Sequence, residues 1–392
     1  MVQTSTLKGF STAMREIPLF KPSIGLEEET AVLNCMRSGW LTTGFYCQTF
    51  EDNIKDYIGD DVEVCCVSSA TAGLHLALDA LNVGPGDEVI LPTLTFTATA
   101  EVIRHVGARP VFTDVDFDSL NISPEHIVSK ITKATKAVIV VHFAGRQVQM
   151  DQILTICKEK GIFVIEDAAH AFGTKCNDKK IGSSDSDATV FSFYANKNIT
   201  TGEGGAIVTK DKQLAKKVRI NRSHGIDRST FYRYQSARNL EYDVVYPGYK
   251  YNLSDIAAAI GVAQLSKCDA FMMKRTTLAE RYYNKLSKKS VKFFFTEESF
   301  DISSFHILPV WVASNLRGGL IDCLSESGIT TSLHYKPLHL MSYWRRFCKG
   351  HHFPNSEMYY SGAMTLPLFP DMLEAEVDYV CDKIVNHMTS QI

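Results

Sequence analysis

A chain of 392 residues, 45% hydrophobic and 22% charged, has the composition of a globular protein of two or three domains, and excludes a largely disordered, collagenous or membrane-embedded one. Its 41 Lys and Arg against 44 Asp and Glu leave a net charge of −3, with no basic surplus to favour nucleic acid or an anionic membrane. A polyanionic ligand would have to be held by local features. No run approaches the roughly 18 apolar residues of a membrane helix, and the first twenty residues contain no signal-peptide core. Ten scattered cysteines without a CxxC pair make neither a disulfide framework nor a metal motif, so the cytoplasm is the expected compartment.

Along the first two thirds, short β-branched runs at 62–67, 88–91, 110–115, 137–141, 162–165, 188–193 and 206–209 alternate with helix-like segments at 71–81, 95–106, 124–131 and 150–160. This alternation predicts an α/β fold with a seven-stranded, largely parallel sheet. Most of the runs are continuously apolar, as strands buried on both faces are. Ligands of such sheets bind beyond the carboxyl ends of the strands. Helices predicted at 253–265 and 272–286 lead out of this unit. A strand at 306–312 and helices at 318–327 and 375–387 give the remainder an α+β character. A large domain is therefore expected over 14–265 and a smaller one over 266–392. The polar stretch 226–243 reads as a long loop, a length that is uncommon and often functional.

Four strand ends carry candidate chemistry. In SFYANKNITTGEGG, residues 192–205, Lys197 follows a buried strand. There partial desolvation lowers an amine's pKa and frees it to attack carbonyls, although a lone loop lysine is ordinarily solvated. In IFVIEDAAHAFG, Glu166 and Asp167 end another strand; a carboxylate there can pair with a protonated heterocyclic nitrogen, or Asp167 can cap a following helix. His170 beside it is a ligand contact or a satisfied structural histidine. In VSSATAGLH, the N–H groups and hydroxyls of Ser69, Ala70 and Thr71 at a helix start suit a phosphate, though Ser and Thr are also common caps. In PTLTFTAT, Phe96 is a candidate ring platform, with core packing the ordinary alternative. Together an amine, a carboxylate, a phosphate cradle and a platform are the parts that pyridoxal phosphate needs.

In their order along the chain, SSATAGLH, PTLTF, EDAAHAFG and SFYANKNITTGEGG resemble the DegT/DnrJ/EryC1/StrS family of sugar aminotransferases. The likeness extends to SGWLTTG, PGYKYNLSDIAAAI, HYKPLH and LPLFPDM, so it covers about residues 17–385. It is greatest to enzymes that aminate C-4 of a UDP-linked sugar. It implies a pyridoxal-phosphate transferase of fold type I, with L-glutamate as donor and a nucleotide-linked keto sugar as acceptor. A homodimer with shared sites and a place in surface polysaccharide, lipopolysaccharide or glycoconjugate synthesis are also implied.

By the same resemblance Lys197 is the Schiff-base lysine and Asp167 the partner of the pyridine nitrogen. Ser69, Ala70, Thr71 and Ser192 meet the phosphate, Phe96 stacks on the ring and His170 lies beside it. Asn252 reaches the partner subunit's cofactor phosphate, and Thr43, Tyr194, His334 and Tyr335 are the sugar-side candidates. Phe45, Phe96, Tyr194 and the stretch 146–148 depart from the subgroup's usual residues, which bears on the sugar and the regiochemistry. C-3 amination of a dTDP- or UDP-linked 3-keto sugar is the alternative. A non-catalytic regulator on the same fold is disfavoured, because too few residues precede the first motif for a DNA-binding unit.

Overall fold

The computed structural model describes residues 16–59, 61–176, 178–227 and 241–390. Strands β1 (Glu63–Val67), β2 (Glu88–Pro92), β3 (Arg109–Thr113), β4 (Thr135–Val141) and β5 (Phe163–Asp167) are followed by a small hairpin, β6 (Lys175–Cys176) and β7 (Lys179–Lys180), then by β8 (Ala188–Ser192) and β9 (Gly205–Thr209). Apart from the hairpin they form one seven-stranded sheet in the order β1-β9-β8-β5-β4-β2-β3. Only β9 runs against its neighbours. It follows β8 without the crossover helix that parallel neighbours need, and the connection it makes instead is the loop that carries Lys197. Because the other strands run one way, β1, β2, β4, β5 and β8 end on a single edge.

The apolar runs are buried on both faces as expected. Val67, Leu91, Ile139, Ile165, Val190 and Ile207 pack with the helix Ala70–Ala80 on one side. Alternate residues such as Ile90, Val138, Val140 and Val164 pack with Met150–Lys160 on the other. That helix has the predicted bounds. The helix predicted from 95 starts only at Ala98, because the residues before it turn into the site. The helices Leu26–Ser38, Phe45–Ile58, Lys212–Asn221 and Pro354–Gly362 were not read from the sequence. Leu26–Ser38 buries only Glu28 and Cys35, so it carries no apolar stripe to find. In Phe45–Ile58 the buried Cys47, Phe50, Ile54 and Ile58 do have helical spacing.

A second, three-stranded antiparallel sheet joins β10 (Lys292–Phe293), β11 (Leu308–Trp311) and β12 (Ala363–Leu366). The helices Cys268–Leu286, Ser314–Glu326 and Glu374–Ser390 share its core. Leu338, Trp344 and Phe353 return to the core of the large sheet, which brings residues 334 and 335 over its carboxyl edge. The predicted loop 226–243 lies mostly outside the described residues; its two ends are joined where Ile226 bridges Val244. Among the described residues no single helix is long and apolar enough to cross a membrane. All ten cysteines are free.

Candidate active site

The carboxyl edge of the sheet opens into a cavity of about 360 Å³. Eleven of the residues singled out in the sequence line it: Ser69, Ala70, Thr71, Phe96, Asp167, His170, Ser192, Tyr194, Lys197, His334 and Tyr335. They come from stretches separated by up to two thirds of the chain. Thr43 and Asn252 are not among the lining residues. They meet each other instead, Asn252 Nδ2 donating to Thr43 Oγ1 at 2.7 Å, while Thr43 Oγ1 donates to the carbonyl of Leu253.

Lys197 sits in the β8–β9 loop, fixed by its backbone N–H on the carbonyl of Tyr194 at 2.9 Å and by the N–H of Thr201 on that of Phe193 at 2.9 Å. Its Nζ is 3.3 Å from His306 Nε2. Burial pulls its pKa down to about 8, with the charge of Asp167 opposing the shift. The lysine is thus partly a free amine near neutrality, as a nucleophile for carbonyls must be.

Adjacent carboxylates on β5 point to opposite faces of the sheet. Glu166 is spent on the fold: its oxygens accept from His142 Nε2 at 2.7 Å, from Ser186 and Thr189 at 2.6 and 2.9 Å, and from Ser184. Asp167 faces the cavity. It accepts from Thr99 Oγ1 at 2.8 Å and from the N–H of Ala169 at 3.2 Å, and no helix follows for it to cap. Burial raises its pKa, against the lowering effect of those two bonds. Among the described residues Asp167 makes no salt bridge. A buried carboxylate with spare lone pairs facing a cavity calls for a cation there, and a protonated pyridine nitrogen supplies one.

The other parts fit pyridoxal phosphate equally well. Ser69 caps the helix Ala70–Ala80, its Oγ accepting from the N–H of Ala72 at 3.1 Å; the helix start is thereby aimed at the cavity, where an anion is favoured. Gly205 lets this turn lie flat on the sheet, since a Cβ there would stand 2.7 Å from Ala70 N and 2.7 Å from Phe191 O. Gly205→Ala is therefore expected to lower stability by about 1–3 kcal/mol and to weaken cofactor retention, read by thermal melting and by dialysis against cofactor-free buffer. Phe96 is 56% exposed, which core packing does not explain and a ring platform does.

His170 accepts the N–H of Ala144 on Nδ1 at 3.3 Å, so its neutral ring carries the proton on Nε2 and donates to Tyr335 Oη at 3.0 Å. Burial, then the charges of Lys197 and His334, hold its pKa well below the usual range. His334 meets Thr365 Oγ1 at 2.9 Å through Nδ1, and burial with the Lys197 charge brings its pKa to about 4. Thr99, Asn196, Glu203 and His306 belong to the site and were not singled out in the sequence. Thr99 and Glu203 stand inside quoted motifs, and Asn196 adjoins Lys197. His306 carried no signal, because it reads as the first residue of a strand.

Cys47, Glu51 and Cys66 place three ligand atoms within 4.8 Å of one another. Glu51 Oε1, however, already accepts from Arg222 Nη1 and, at 2.8 Å, from the N–H of Cys66. A guanidinium in that position opposes a divalent cation, and the trio is a structural ion-pair cluster.

Comparison with known proteins agrees with this geometry. Spore coat polysaccharide biosynthesis protein SpsC of Bacillus subtilis is 40% identical over 375 residues, 94% of this chain and 96% of that protein. Spr1654 of Streptococcus pneumoniae, solved in PMP and PLP forms, superposes with TM-scores of 0.88 and 0.87 at 31% identity, over 96% of this chain and 100% of that one. PseC of Helicobacter pylori, an aminotransferase involved in the biosynthesis of pseudoaminic acid, superposes with a TM-score of 0.87 at 27% identity and the same coverage. The DegT/DnrJ/EryC1/StrS aminotransferase family model matches residues 22–385. With that match the cavity, its amine and its carboxylate acquire a family: this chain belongs to the DegT/DnrJ/EryC1/StrS aminotransferases, pyridoxal-phosphate-dependent sugar aminotransferases of fold type I.

Proposed function

We propose that this enzyme moves the amino group of L-glutamate to the C-4 keto carbon of a UDP-linked sugar, for the synthesis of a polysaccharide or related glycoconjugate. The observation that carries the reading is the meeting, in one cavity, of a buried amine at Lys197, a buried carboxylate at Asp167 and the helix start at Ser69–Thr71. The names of SpsC and PseC support a sugar acceptor, and the stretches KNIT, PGYKYNLSDI and LPLFPDM support C-4.

Lys197 would carry the cofactor, Asp167 would face its ring nitrogen, and Ser69, Ala70, Thr71 and Ser192 would hold its phosphate. Phe96 would cover the ring, with His170 beside it. When bound, pyridoxal phosphate supplies an aldehyde and an electron sink. The protein does the rest. As a free amine, Lys197 would serve as the base that takes the proton from the donor's Cα and returns one to the sugar carbon in the second half-reaction. Asp167 stays ionised opposite a positive ring nitrogen. Tyr194, His334 and Tyr335, which line the same cavity, would contact the sugar nucleotide.

The direct test offers UDP-, dTDP- and GDP-linked 3-keto and 4-keto sugars with glutamate and locates the new nitrogen by NMR. Nitrogen on C-4 of a UDP sugar is the expected result; nitrogen on C-3 would sink the regiochemistry and leave the aminotransferase reading intact.

In a homodimer with shared sites, Asn252 would act across the subunit boundary on the partner's phosphate pocket, with Thr43, its hydrogen-bond partner, kept as a sugar-side candidate. Asn252→Ala should then weaken cofactor retention. Mixing it with Lys197→Ala chains should recover part of the activity, because one of the two sites in a mixed dimer keeps both residues. No recovery after proven subunit exchange would mean that each site is built from one chain.

A further inference from the structure

We propose that His306 is the positioning residue for Lys197: its Nε2 anchors the lysine amine on the cavity wall and turns the amine's lone pair toward the carbonyl it attacks. The inference rests on the reading of Lys197 as the cofactor-bearing residue.

His306 comes from the turn before β11, 109 positions beyond the lysine, and its Nε2 lies 3.3 Å from Lys197 Nζ. The ring is buried, and its Nδ1 has no hydrogen-bond partner among the described residues. An unpaired buried ring nitrogen costs folding free energy, so an aliphatic or aromatic side chain would fill the place more cheaply. Packing alone does not account for a histidine here. Its backbone is clamped: the buried Arg275 donates Nη1 to the carbonyls of Phe305 at 3.3 Å and His306 at 3.2 Å. Its ring lies against that of His170, 4.6 Å between centroids.

The charged or titratable groups that face it are Lys197, His170, Arg275 and His334. Burial and then each of these, all basic, disfavour its protonation. The imidazole therefore stays neutral. With Nδ1 free of any partner, the ring proton sits there without breaking another bond and Nε2 is left as an acceptor. It accepts an N–H from the ammonium form of Lys197 and still accepts one when the lysine is the free amine. One N–H fixed on Nε2 leaves the lone pair directed away from the imidazole, into the cavity, where an unanchored ε-amine would rotate through all orientations. Pre-orientation of a reacting group in this way is a large source of rate.

The test uses cofactor-free protein mixed with pyridoxal phosphate in a stopped-flow instrument. It follows the bond formed between Nζ and the aldehyde carbon with loss of water, at several pH values. His306→Gln places an amide near the position of Nε2, His306→Asn one near Nδ1, and His306→Leu removes both. Above the lysine's midpoint, where all variants present a neutral amine, Asn and Leu should slow bond formation about tenfold, the worth of one hydrogen bond. Gln should restore most of the rate. Affinity for pyridoxamine phosphate, which needs no lysine bond, should be unchanged in all three.

Wild-type bond-formation rates in the Asn and Leu variants would overturn the proposal. So would a Gln variant as slow as the others with weakened pyridoxamine phosphate binding, the mark of a purely structural histidine. Should the Leu variant fail to fold, the Gln and Asn pair decides. Borohydride reduction and peptide mapping separate the two readings. Trapping on a lysine other than Lys197 overturns the functional assignment, whereas trapping on Lys197 with unaltered rates overturns only the role of His306.

Discussion

Replacement of Lys197 by Ala is expected to abolish turnover while leaving the cofactor bound. Covalent attachment contributes only part of the retention; the helix start at Ser69–Thr71, Ser192, the Phe96 platform and Asp167 all remain. Loss of one positioned general acid–base costs typically about 10²–10⁴-fold. Lys197 also provides the amine that exchanges with donor and product, so the drop should exceed that range. The bound cofactor should no longer be trapped on the protein by borohydride. Lys180, Lys210 and Lys250 are the controls, since none lines the cavity. Lys210 is spent on Asp61 and Asp185, and Lys180 lies over the ring of Tyr57. In the cofactor-free enzyme, reaction of Lys197 with carbonyl reagents should rise with pH around a midpoint of about 8, well below that of an exposed lysine. Near-normal transamination by the Lys197→Ala protein would refute the assignment.

What could be read beforehand, and what could not, follows from the range of the signals. Lys197 and Asp167 were legible because each lies within a few residues of a continuously apolar strand, and parallel strands send their carboxyl ends to one edge. The choice of Asp167 over Glu166 came from the family resemblance; strand alternation provides its physical reason, with Glu166 turned to His142 and three hydroxyls on the far face. The direction of β9 depended on whether residues 193–204 cross the sheet or turn back, and a glycine-rich loop without a helical stripe turned back. His306 was invisible. Its partner is 109 residues away, and before an apolar run a histidine reads as the edge of a strand. The sequence placed Thr43 and Asn252 in the site only by resemblance. Within one chain they pair with each other, and no local pattern tells whether a second chain completes a cavity.

Asp167 gives the other large effect, and its chemistry can be separated from its packing. Asp167→Asn keeps the size of the side chain and a carbonyl oxygen for Thr99 Oγ1, which now donates at 2.8 Å, so the fold should survive. The charge does not. In the wild type, burial raises the pKa of Asp167, and a positive charge opposite it favours the carboxylate. The same coupling keeps a pyridine nitrogen protonated and its ring able to accept electrons. An amide leaves that nitrogen neutral, and kcat should fall by roughly 10²–10³-fold, the usual result of deleting one preorganised electrostatic group. Cofactor affinity should fall less, because the phosphate cradle is intact. A second variant isolates the charge: Asp167→Ala makes room for pyridoxal phosphate methylated on the ring nitrogen, which is positive without any carboxylate. That analogue should recover part of the lost rate in Asp167→Ala and should react poorly with the wild type, where the methyl group meets the carboxyl. Equal rates with both cofactors in the alanine variant would mean that Asp167 acts by shape and not by charge, and the pyridine-nitrogen assignment would have to move to another residue of the cavity.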